Sequence, residues 1–143
     1  MNLPTTDDLI ETFDLLSDWE ARYAYLIDLG RALPKMDESI KTDAVLVPGC
    51  TSRVWVVAEE IECRPGLRQD NTFVFHFHID SDATIVKGLC AVVMVFVQDK
   101  AADQIQAVDM DSVFKKLNLA GNLSPNRRNG FFAMVERIKQ LTR

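Results

Sequence analysis

The chain has 143 residues, 48% of them hydrophobic and 26% charged, with a formal net charge of −5. That length and composition fit one globular domain over residues 1–143 and exclude disordered and fibrous classes. The acidic balance disfavours nucleic acid and anionic membranes as partners, and the longest apolar run, the nine residues Leu89 to Val97, is too short to cross a bilayer.

Charge is unevenly spread: residues 1–62 carry a net −8 and residues 63–143 a net +3, with an excess of +4 in 124–143. That excess is too small for a nucleic-acid tail but could act at an anionic partner. The first eight residues have neither the basic start nor the apolar stretch of a secretory leader, so a soluble, cytoplasmic protein is expected.

In chain order, Leu9, Ile10, Phe13 and Leu16 recur at helical spacing behind Thr6-Asp7-Asp8, which can cap a helix. Ser17-Asp18-Trp19-Glu20 reads as a capping box for a second helix, whose stripe is Trp19, Tyr23, Leu26, Gly30 and Leu33 and which Pro34 ends. Three strands are then expected, at Ala44–Val47, Arg53–Glu62 and Thr72–Asp80, the last two joined by a solvated loop from Cys63 to Asn71. In the third, Phe73, Phe75, Phe77 and Ile79 alternate with Val74, His76, His78 and Asp80, so the apolar face meets helices and the other face is polar. Asp80-Ser81-Asp82 supplies caps for a buried helix from Ala83 to Val97. Shorter helices follow at Ala101–Val108 and Asp111–Leu119, then a last one with Ser124 as N-cap and Pro125 at its first position. The expected fold is α+β: a small antiparallel meander packed with helices.

Three features could carry chemistry. Cys50 lies among small residues, Pro48-Gly49-Cys50-Thr51-Ser52, where a thiol can reach another molecule, whereas Cys90 reads as a core residue and Cys63 as incidental at a strand end. With an odd number of cysteines and no C-x-x-C pair, a disulfide framework is not expected. His76, His78 and Asp80 share a strand face and could bind a metal, or simply form a polar face. Arg127 and Arg128, in the first turn of the last helix, either rest in solvent or help receive an anion. Signatures of catalytic triads and phosphate loops are absent, so Cys50 looks like a reactive thiol without catalytic apparatus of its own.

Four ordered blocks then carry a resemblance: Trp19-Glu-x-x-Tyr23-x-Tyr25-Leu-Ile-Asp-Leu-Gly30-Arg-x-Leu33-Pro34; Val47-x-Gly49-Cys50-x-Ser52-x-Val54-Trp55; Asp80-Ser81-Asp82-Ala83-x-Ile85-Val86-Lys87-Gly88-Leu89; and Leu123-Ser124-Pro125-x-Arg127-x-x-Gly130 with Met134. Over almost its whole length the chain resembles the SufE/CsdE family of sulfur-acceptor proteins, whose fold is shared with IscU-type scaffolds. The resemblance implies docking on a SufS-type or CsdA-type cysteine desulfurase, transfer of persulfide sulfur to Cys50, and relay toward a SufBCD-type scaffold or other sulfur acceptor for Fe–S assembly. It implies an accessory protein and activator rather than an enzyme, with no cofactor and no metal of its own, since the pyridoxal phosphate belongs to the partner; a homodimer stays open. Ser81, Asp82, Lys87 and Arg127 fall on matching positions, with Arg127 expected to favour the Cys50 anion or docking. Asp82 is expected to hold the loop at rest, or else only to cap the helix. The longer loop carrying Cys63 departs from the family pattern. The alternative is an IscU-like metal or cluster scaffold using Cys50, His76 or His78, and Asp80.

Overall fold

The computed structural model describes residues 3–62, 73–119 and 121–143. Helix α1 (Thr6–Leu15) takes its cap one residue before the expected Thr6-Asp7-Asp8: Thr5 accepts from the Asp8 amide through its hydroxyl at 3.2 Å. Helix α2 (Trp19–Arg31) is capped by Asp18, not Ser17, through a 2.8 Å bond from the Ala21 amide. In both, a short oxygen-bearing side chain satisfies one of the orphan first-turn donors.

Two long strands follow, β1 (Val54–Glu62) and β2 (Phe73–Ser81), antiparallel and in register from Val54 opposite Ser81 to Glu62 opposite Phe73. The loop expected between them lies outside the described residues. The expected strand at Ala44–Val47 is corrected: Asp43–Val45 is a 3₁₀ turn, and only a Leu46–Trp55 bridge and a bond from the Val47 amide to the Val54 carbonyl tie it to β1. The third strand is instead the two-residue β3 (Lys100–Ala101), on the far side of β2, giving the order β1-β2-β3. Gln98 ties this edge to β2 by both taking the Phe77 amide and donating to the Phe77 carbonyl.

Helix α3 (Thr84–Val97) is buried from Gly88 to Met94 without interruption, because it lies between the sheet and helices α2 and α6. Phe75, Phe77 and Ile79 of β2 and Val54 and Val56 of β1 face the same core. Each such aliphatic or aromatic side chain contributes about 1.5–3 kcal/mol by leaving water. Helices α2 and α3 meet at two glycines: a Cβ on Gly30 would fall 2.8 Å from the Gly88 nitrogen, and one on Gly88 would overlap the Leu26 carbonyl. The absence of both side chains sets how closely the backbones approach.

Helices α4 (Ala102–Ala107), α5 (Met110–Lys116) and α6 (Pro125–Leu141) complete the chain, and Phe131, Met134, Val135 and Ile138 form the buried stripe of α6. The architecture is α+β, with six helices and a three-stranded antiparallel sheet among the described residues. No helix among them is long and apolar enough to cross a membrane.

Candidate functional site

Cys50 sits between the 3₁₀ turn and β1, where the chain reverses at Gly49 with φ +86°, a backbone conformation that glycine adopts without strain. This places the thiol beside the start of α6. Its Sγ donates to the Gly130 carbonyl oxygen at 3.6 Å, and the cavity beside it, about 360 Å³, is lined by Thr51, Ser52, Val86, Ser124, Asn126, Arg127 and Gly130. Ser124 caps α6, accepting from the Arg127 amide at 3.3 Å, with Pro125 in the first turn. Capping and the fixed proline φ thus hold the Ser124–Gly130 turn against the thiol.

Burial raises the Cys50 thiol above its ordinary value, since desolvation disfavours the thiolate. Together with the bond to Gly130, this makes the resting group a protonated thiol. Arg127 shares the cavity but is exposed, as is Arg128, which does not line it. The fully buried Cys90 is pushed up much further by the same desolvation, with Cys50 close enough to add to it. It is inert core, as its sequence context indicates.

The exit from the Cys50 loop is clamped by the corner between β2 and α3. Asp82 Oδ1 accepts from the Arg53 amide at 3.1 Å, the Asp82 amide donates to the Arg53 carbonyl at 3.2 Å, and Ser81 Oγ donates to that carbonyl at 2.8 Å. Asp82 does not cap α3, whose first turn has no side-chain cap; it holds the neighbour of the loop instead. Lys87, one turn into α3, reaches back to Asp80 Oδ1 at 3.2 Å.

Asp80 departs from the expected polar strand face. It is 2% exposed, because the segment after α2 folds over it. Its carboxylate accepts from the Met36 and Ser81 amides at 3.1 and 2.8 Å and pairs with Lys41 and Lys87 at 3.5 and 3.2 Å. Desolvation pushes this carboxyl up, but the two amides and Lys87 outweigh it and hold it below the usual carboxylate range. Lys41 also lies over the Trp55 ring, 4.8 Å from its centre, and pairs with Glu38. The ligand set of Cys50, a histidine and Asp80 is therefore not assembled. Asp80 is consumed by two lysines, and among the described residues no three His, Cys, Asp or Glu groups converge as metal ligands.

Sequence reasoning passed over the Gly130 carbonyl and the burial of Asp80. The first had a signal, the one-turn spacing in Pro125-x-Arg127-x-x-Gly130. The second had none, because the segment that covers Asp80 is irregular and shows no periodicity.

Residues 7–142 match the family model described as SufE, Fe-S metabolism associated domain. An uncharacterized SufE-like protein of Rhizobium etli is 39% identical over 96% of this chain and 89% of its own length, and one of Rhizobium meliloti is 38% identical over 96% and 94%. The solution structure of a hypothetical protein from Thermus thermophilus superposes with a TM-score of 0.71 over 99% of this chain and 96% of that one; at 17% identity it bears on the fold alone. The chain belongs to the SufE family of Fe–S metabolism associated domains.

Proposed function

We propose that this protein accepts persulfide sulfur on Cys50 from a pyridoxal-phosphate-dependent cysteine desulfurase of SufS or CsdA type, stimulates that enzyme, and relays the sulfur toward Fe–S cluster assembly. The observation that carries the reading is a half-buried thiol at a glycine-hinged turn, facing a cavity lined by the first turns of α6.

The transfer is a displacement at sulfur. The Cys50 thiolate attacks the terminal sulfur of the donor's Cys–S–SH, a new S–S bond forms on Cys50, and the donor's S–S bond breaks. The donor cysteine leaves as thiolate, so Cys50 is oxidised to the persulfide and the donor is reduced to the thiol. At rest, burial and the Gly130 carbonyl keep Cys50 protonated and slow to react with solutes. Docking releases the thiol from that carbonyl by rotation about Gly49, hydrates it and favours the thiolate, with Arg127 beside it to offset the charge. The Asp82–Arg53 and Ser81–Arg53 bonds limit the movement to residues 49–52 and return the loop to rest. Back in the cavity, whose lining includes Val86, Arg127 and Gly130, the persulfide's outer sulfur is shielded from bulky reductants.

The experiment is desulfurase turnover with cysteine, measured as alanine release with and without this protein. Wild type raises the rate and Cys50→Ser does not; equal stimulation by both removes Cys50 as the acceptor.

A further inference from the structure

A groove of about 460 Å³, sharing no residue with the Cys50 cavity, runs between the segment after α2 and the strands; Leu33, Met36, Ile40 and Val57 wall it, and His76 and His78 border it. These are the only two histidines of the chain. Alternation along β2 puts both on one face, with ring centres 5.0 Å apart and planes at 72°.

Each ring is held at one nitrogen by a different carboxylate. Asp99 Oδ1 lies 2.8 Å from His76 Nδ1, and Glu59 Oε2 lies 3.4 Å from His78 Nε2. Asp99 is fixed in turn, because its backbone is left-handed at φ 59° and its amide donates to the Phe75 carbonyl at 2.9 Å. A carboxylate draws the ring proton to its own side and leaves the other nitrogen's lone pair outward, the outer-sphere arrangement of metal-bound histidines. The outward nitrogens are His76 Nε2 and His78 Nδ1, for which no protein hydrogen bond is made among the described residues. With metal–nitrogen bonds of about 2.0–2.1 Å, two imidazoles on one tetrahedral cation have ring centres roughly 5 Å apart. The observed spacing meets that requirement.

We propose that His76 and His78 form a two-imidazole site for a borderline divalent transition cation such as Zn²⁺, with Asp99 and Glu59 as its outer-sphere carboxylates. Imidazole nitrogen selects such cations over Mg²⁺ and Ca²⁺, which prefer oxygen. No third protein ligand converges among the described residues, so the remaining positions are left to water or to a donor atom of an incoming molecule. Binding here is exchangeable rather than structural, and it stands independently of sulfur transfer.

The test is Zn²⁺ titration of the full chain, read by nitrogen-resolved NMR of the two imidazoles, which separates this site from any thiol. The expected result is that His76 Nε2 and His78 Nδ1 shift together and saturate together. His78→Gln, at an exposed position, weakens the His76 response at least tenfold. Asp99→Asn, which tolerates the same left-handed backbone, weakens binding about tenfold or more, as loss of an outer-sphere partner does. Excess Zn²⁺ that leaves both imidazoles unshifted, a response at only one ring, or an unchanged His76 response in His78→Gln overturns the site. An unchanged affinity in Asp99→Asn removes the carboxylate's role from it.

Discussion

The thiol of Cys50 donates to the carbonyl oxygen of Gly130, 80 residues further along the chain, at 3.6 Å. A Cβ added at Gly130 would lie 3.6 Å from Cys50 Sγ, in ordinary van der Waals contact. Gly130→Ala is therefore expected to fold normally while filling the space beside the thiol. Because the outer sulfur of a persulfide needs that space, the persulfide on this variant should be lost to dithiothreitol faster than on wild type, measured as its half-life by mass spectrometry. An equal half-life places the sulfur elsewhere.

Cys50→Ser keeps a donor for the Gly130 carbonyl and removes little buried area, so its stability is expected to stay within about 0.5 kcal/mol of wild type. Chemical denaturation checks this. A much larger loss means that the thiol also packs structurally, and that any activity loss must be read after correcting for unfolded protein.

Arg127 and Arg128 are both exposed, and only Arg127 lines the cavity. Arg127→Ala is expected to slow sulfur uptake about tenfold, which corresponds to about 1.4 kcal/mol in the barrier, with stability nearly unchanged. Arg128→Ala serves as the comparison and should transfer at close to the wild-type rate. Single-turnover uptake from a persulfidated donor measures both, and equal effects would reduce Arg127 to general surface charge.

The Asp80 node makes stability sensitive to acid. Its carboxyl is held below the usual carboxylate value of 3.8, so in the unfolded chain it takes up a proton first as pH falls. Its contribution is thus present in full above about pH 4–5 and is lost as pH drops through the lower folded value. Asp80→Asn leaves Lys41 and Lys87 without their shared carboxylate and is expected to cost about 2–4 kcal/mol at pH 7. The Tm difference between variant and wild type should shrink as pH is lowered toward 3; a constant difference would mean that charge is not what Asp80 supplies.

The elements legible in the sequence are those whose burial is one-sided or complete. The alternation from Phe75 to Ile79 marks a strand with one face on the core, although Phe73 at its start, expected on that face, is exposed, and Ser124-Pro125 followed by Phe131, Met134 and Ile138 marks the last helix. Ala44–Val47 misleads because its short apolar run is buried by packing at Val47 rather than by strand pairing. Lys100–Ala101 is too short to show any period, and Gln98 and Asp99 secure it with side-chain and turn bonds. Of the site, Cys50 and Gly49 stand out locally, since a hinged thiol between two apolar segments has a composition signal. Val86 does not, because it comes beside the thiol only through the packing of α3 against α6.

In the proposed transfer, sulfur rests on residue 50. The most direct measurement is intact-protein and peptide mass spectrometry after incubation with a cysteine desulfurase and cysteine, without reductant. One added sulfur atom, mapped to the Cys50 peptide and absent from Cys50→Ser, is the expected result. An unmodified Cys50 peptide under conditions where the donor itself is persulfidated would contradict it.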